Sequence, residues 1–212
     1  MGFKVEKFTT GMFRVSFPKV FRPDPNSGDK YSLMAMIKKT GNQPWTSAPE
    51  LKPYADAVKK AFLEKWPLAK DQPKNWVNPI KDGDTAEMQD GSLRTEKYPE
   101  IAGHWYLTAS SKSKPGLIDN KKNAILTDDE FYGGCFARAT MHAYAYSPSA
   151  KMPQSKIGVA FGLDNIQKLS EGERFSGRTK AEDDFDAVAE ISANDDVFGT
   201  GAAPATPANA PF

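Results

Sequence analysis

Between Tyr132 and Tyr146 the sequence alternates without a break, and the two resulting faces carry different chemistry. Cys135, Ala137, Ala139, Met141, Ala143 and Ala145 fall on one side, small and apolar, suited to a barrel interior. Phe136, Arg138, Thr140, His142, Tyr144 and Tyr146 fall on the other. Rings interleaved with a guanidinium and an imidazole form a surface on which nucleotide bases can stack, because every base offers a π-face whatever its identity. The second packing face of a half-buried strand uses the same residue types, so at this point both readings stand. Tyr106, in another alternating stretch, adds a ring. Lys112, Lys114, Lys121 and Lys122, in the adjoining loops, add the positive charge that a phosphate backbone attracts.

Catalytic chemistry finds little support. Ser111 and Lys114 have S-x-x-K spacing but no accompanying base or oxyanion signature. No G-x-x-x-x-G-K-[ST] run is present, and Gly158 and Gly162 read as sites of bending or close packing within a strand. Asp183-Asp184 and Asp195-Asp196 could hold a divalent ion only with a fixed geometry that their flexible context does not offer. Cys135 is the single cysteine, which excludes an internal disulfide and a multi-cysteine zinc site. The expectation is a protein without enzymatic activity, cofactor or metal.

Charge divides the chain in two. Residues 1–180 carry 28 Lys/Arg against 20 Asp/Glu, whereas residues 181–212 carry seven acidic residues and no basic one. A body with a surplus of eight positive charges suits a polyanionic partner, and an acidic tail can compete for the same surface when that is empty. Within the tail, Phe185, Val188 and Ile191 are spaced for one face of a short helix, and Phe198, Pro211 and Phe212 are further apolar anchors for a protein partner. Residues 199–212 have the Ala/Pro/Thr/Gly composition of a disordered segment. No apolar run is long enough for a membrane span or a signal peptide, so the protein is expected in the cytoplasm.

The elements that would position these residues are mostly strands. Phe13–Phe17 and Tyr31–Lys38 alternate on either side of a Pro/Asn/Gly turn, and Gly103–Ser111 alternates again before a basic loop at 112–116. Ser47 and Glu50 have capping-box spacing, and Leu51, Tyr54, Val58, Ala61 and Phe62 recur at helical spacing up to Pro67, predicting a helix that begins there or at Pro53. Residues 68–101 show no period, and Ile157–Leu163 reads as a short buried strand. The domain division expected is a binding domain over 1–180 and a flexible acidic tail over 181–212.

Several segments together carry a family likeness. They are Trp105–Ser111, Lys114-Pro115-Gly116, Phe131–Cys135 running on to Ala143–Tyr146, Gly158–Leu169, and Ala181–Phe185. With the Phe-Leu-Glu-Lys-Trp end of the helix, this set resembles a phage family associated with single-stranded DNA binding, over roughly residues 10–185. The resemblance implies a mainly β, OB-like barrel with one helix and long loops. It also implies a role in phage DNA replication or recombination inside the infected bacterium, with phage or host proteins recruited through the tail. The helix would precede the middle strand, whereas the usual OB helix lies between the third and fourth strands. The ending Pro211-Phe212 is similar to that of bacterial single-stranded DNA-binding proteins, although the nearest acidic residues here are Asp195-Asp196. A phage structural or protein-interaction module, with the aromatic strand as core, is the alternative.

Overall fold

The computed structural model describes residues 6–149, 153–154 and 156–175. Its elements are β1 (Phe8–Thr9), β2 (Phe13–Asp24), β3 (Lys30–Lys38), α1 (Lys52–Lys65), β4 (Lys81–Asp82), α2 (Arg94–Lys97), β5 (His104–Ser111), β6 (Gly116–Ile118), β7 (Phe136–Tyr146) and β8 (Gly158–Ser170). The expectations placed on 181–212 lie outside the described residues.

All strands belong to one 8-stranded sheet that closes on itself. β2, β3 and β5 form an antiparallel meander, β8 runs parallel to β5, β7 is antiparallel to β8, and β7 returns to pair with β2. This is the strand order of an OB barrel. β1, β4 and β6 extend it at the margins by pairing with β7, β5 and β8.

Alternation explains the closure. Leu33, Ala35 and Ile37 of β3, Trp105, Leu107 and Ala109 of β5, and Ala137, Ala139 and Met141 of β7 all point inward and are buried. Small and large side chains complement one another across strands. Phe161 of β8, 1% exposed, stands in register with Ala109 on one neighbour and Ala143 on the other, so two alanines make room for one ring. Cys135 is buried at the barrel end with its thiol donating to the Tyr132 carbonyl, and burial pushes the thiol above its ordinary range.

The helix lies between the second and third barrel strands, as expected. Tyr54, Val58 and Ala61 form its buried face, and the Tyr54 ring meets Phe8 and Phe161 edge-on at 5.6 and 6.0 Å. It begins at Lys52, after a 3-10 turn at Pro49–Leu51, with Pro53 in the first turn, where a missing N–H costs nothing. The capping box does not form. The Glu50 carboxylate instead accepts from the backbone N–H and hydroxyl of Thr40, 3.1 and 2.7 Å away, tying the helix entrance to the end of β3.

Two further departures matter for the surface. β8 does not stop at Leu163 but runs to Ser170, carrying polar residues because its second half lies between β7 and the short β6. Residues 68–101, which show no period in the sequence, fold as short turns with β4 paired to β5 and Arg94 of α2 over the Tyr106 ring. Lys39 anchors them by ion pairs with Asp82 and, at 2.6 Å, Asp84, whose other oxygen accepts from the Gly103 N–H. Ile101, Met34, Met36 and Tyr106 then make a small second core on the outside of β3 and β5.

Candidate nucleic-acid interface

The outward residues of β7 form a row whose neighbours on β8 are unusually small. His142 pairs with Gly162, Tyr144 with Ala160 and Tyr146 with Gly158. This lets the rings lie down across β8. A Cβ at Gly162 would sit 2.2 Å from the His142 ring, and one at Gly158 would sit 2.6 Å from the Tyr146 hydroxyl. Both glycines therefore serve close packing. Tyr144 is 39% exposed, with His142 and Tyr146 half-buried beside it, and the His142 and Tyr144 ring centres are 6.1 Å apart. The His142 Nδ1 lies 3.0 Å from an Asp164 oxygen, and Lys7 Nζ donates to the other oxygen at 2.6 Å. Burial works to raise the Asp164 carboxyl, but the hydrogen bonds from Lys7 and His142 prevail and hold it below the usual carboxylate range.

Positive charge follows along the same strand pair. Arg138 donates through Nε to Gln167 at 2.8 Å, and Gln167 donates in turn to the Asp119 carbonyl at 3.0 Å. The Asp119 carboxylate organises the turn after β6, accepting from the backbone N–H groups of Lys121 and Asn123 at 2.8 Å and from the Asn123 side chain at 2.9 Å. Lys121 and Lys122 are exposed on that turn. Lys112 and Lys114 are exposed in the loop from β5 to β6, whose ends pair with Gly162 and Asn165 of β8. Four lysines and Arg138 thus border β8 beyond the ring row.

The remaining ring positions are less open. Phe136 stands in register with Arg14, whose guanidinium lies 5.9 Å from its ring and 4.3 Å from that of Phe175. Arg14 also donates to the carbonyls of Gly134 and Glu173, at 3.1 and 2.9 Å, so the 171–175 segment is strapped across this end of β7. Tyr106 departs from the expectation of an available ring. It is 8% exposed, packed with Met34, Met36 and Ile101, and the Arg94 guanidinium lies 5.4 Å from its ring centre. The aperiodic 84–102 segment is what covers it, and nothing in the alternation of β5 signals that cover. Arg14, Phe17, Arg94 and Tyr98 were not singled out from the sequence; the small residues at Gly158, Ala160 and Gly162 were the available sign that rings lie over β8.

A family model described as Enterobacter phage Enc34, ssDNA-binding protein, matches residues 6–198. The chain belongs to this family. It is a family of binding proteins, not of enzymes. A relative, "Putative protein p50" of Acyrthosiphon pisum secondary endosymbiont phage 1, is 30% identical over 168 residues, spanning 77% of this chain and 83% of its own. The fold is similar to that of the single-stranded DNA-binding protein from bacteriophage Enc34, with a TM-score of 0.59 and 20% identity over 85% of this chain and 90% of that one. The same phage protein in complex with ssDNA gives a TM-score of 0.61 at 17% identity, covering 80% of this chain and 89% of that one. Among the described residues no helix is long and apolar enough to cross a membrane, and no group of three His, Cys, Asp or Glu residues is placed to hold a metal ion.

Proposed function

We propose that this member of the family binds single-stranded DNA without marked sequence preference, on the outer face of β7 and β8. The observation that carries the reading is the ring row of His142, Tyr144 and Tyr146 laid over Gly162, Ala160 and Gly158, continuous with the cations of Arg138 and the 112–122 loops. Bases stack on the rings while phosphates meet the lysines, and neither contact reads a base edge. The protein acts in phage DNA replication or recombination in the cytoplasm of the infected bacterium. Its acidic tail competes for the cationic surface and recruits phage or host proteins through Phe185, Val188, Ile191, Phe198, Pro211 and Phe212.

Fluorescence titration with oligothymidylate at low salt tests the reading. Binding is expected to quench the tyrosine and tryptophan emission, and Tyr144→Ala is expected to weaken it by about 1–3 kcal/mol with folding intact. Unchanged emission and no detectable complex would favour the interaction-module alternative.

A further inference from the structure

Phe17 is the one strand residue among the described non-glycine residues with positive φ; the others, Asp29 and Lys122, lie in turns. Its φ of 46° falls in the left-handed region, which a bulky side chain enters at a cost of about 1–2 kcal/mol. The cause is local: the β2–β3 register shifts between Ser16 and Lys19, and Pro18 follows directly. The result is a phenyl ring turned outward and 43% exposed, although a core position would have hidden it. Strain held in a sparsely populated backbone region, with an apolar ring left in water, points to a functional use of that ring.

Its surroundings indicate which use. Phe17 meets Tyr98 edge-on at 5.2 Å, with the ring planes 88° apart, leaving an L-shaped aromatic corner. Lys97 Nζ lies 5.6 Å from the Tyr98 ring centre and the Arg94 guanidinium 5.2 Å from it, while Lys19 is exposed two residues from Phe17. Buried Arg94 Nε has no hydrogen-bond partner. The corner is also joined to the β7 row. Phe136 contacts Arg14, Arg14 contacts Phe175, and Phe175 packs on the same small outer core as Tyr98.

We propose that Phe17 and Tyr98, with Arg94 and Lys97, form a second stacking station for single-stranded polynucleotide. A strand leaving the β7–β8 rings past Arg138 reaches it by crossing the Arg14–Phe175 strap beside Phe136. This rests on the proposed DNA-binding reading and adds to it. An aromatic corner with two cations set against one of its rings is complementary to a base attached to a phosphate, and continuity with the ring row makes the occupant a further segment of the same strand.

Phe17→Gly tests the proposal, because glycine is at ease at φ 46° and the variant should melt close to the parent. Affinity is measured for oligothymidylates of about 4 and about 16 nucleotides, the span of site sizes on one OB barrel. The expected result is unchanged affinity for the short oligomer and a loss of about fivefold or more for the long one, reproduced by Phe17→Asn, which also tolerates the left-handed region. Lys97→Gln should make the salt dependence shallower by about 0.7 for the long oligomer alone. Unchanged long-oligomer affinity in both Phe17 variants, or equal loss at both lengths, overturns the second station. Tyr144→Ala, run in parallel, reports on the primary surface and should weaken both lengths. Its failure to do so would overturn that reading while leaving the Phe17 result to decide this one.

Discussion

At the scale of single residues, the candidate surface depends on side chains that are absent as much as on those present. Gly162 has no Cβ because the His142 ring occupies the place one would take, 2.2 Å away. Gly162→Ala is therefore expected to push the imidazole off β8 and separate it from Asp164, with the barrel intact, since the displaced group is the end of a side chain and not backbone. The check is a nuclear magnetic resonance spectrum in which the His142 signals move while the core signals do not, together with weaker oligothymidylate binding. Asp164 gives a second prediction. Its folded-state carboxyl is held below the unfolded value, so its contribution to stability is fully present above the ordinary carboxylate range and is lost as pH falls through the depressed folded value. Thermal melting of the parent and Asp164→Asn should differ at neutral pH and converge in acid; a gap that persists at the lowest pH would mean that the carboxylate is not its source.

Elements set how those residues are held. β7 and β8 are paired from Phe136–Ser170 to Tyr146–Gly158, so one long hairpin supplies the ring row, its glycine bed and the Arg138–Gln167 link. The opposite face of the same hairpin is the barrel core, where Phe161 lies against Phe8 and Tyr54, with ring centres 6.2 and 6.0 Å apart. Phe161→Ala leaves a cavity flanked by Ala109 and Ala143, which are too small to fill it. It should destabilise the protein by about 3–5 kcal/mol, measured by urea denaturation. A change under 1 kcal/mol would mean that helix α1 collapses into the space.

Over the whole molecule the question is one of charge. A body with 28 basic and 20 acidic residues, meeting single-stranded phosphates, should lose affinity linearly in log salt, by about 0.7 per phosphate neutralised. Neutralising Lys112, Lys114, Lys121 and Lys122 together should flatten that slope; an unchanged slope would place the phosphate path elsewhere. Removing residues 181–212 takes away seven acidic residues that are tethered to the body by the chain and, on the proposed reading, compete for its cationic surface. Affinity should rise, most at low salt where screening is weakest. Equal affinities of the two forms across a salt series would remove the self-competition idea, and pull-downs with and without Pro211-Phe212 separate recruitment by the extreme end from recruitment by the rest of the tail.

What the sequence determined by itself is what local period and composition can carry. Alternation in 31–38, 103–111 and 132–146 assigned inner and outer faces, because successive strand side chains must point oppositely whatever the strand pairs with; in the last stretch the assignment holds only from Phe136, since Tyr132–Cys135 turns through Gly133-Gly134 before β7 begins. The split of charge at residue 180 likewise needs no fold to be read. Tertiary structure decided which outer residues stay open. Tyr106 and Tyr144 both stand on outward strand positions, yet one is covered by Ile101 and Arg94 while the other is exposed, because the aperiodic segment just before β5 folds back over that strand and leaves the Tyr144 end of β7 open. Phe17 shows the converse: a residue that alternation would place in the core is turned outward by a register shift, and such a shift exists only between two paired strands, not in either one alone.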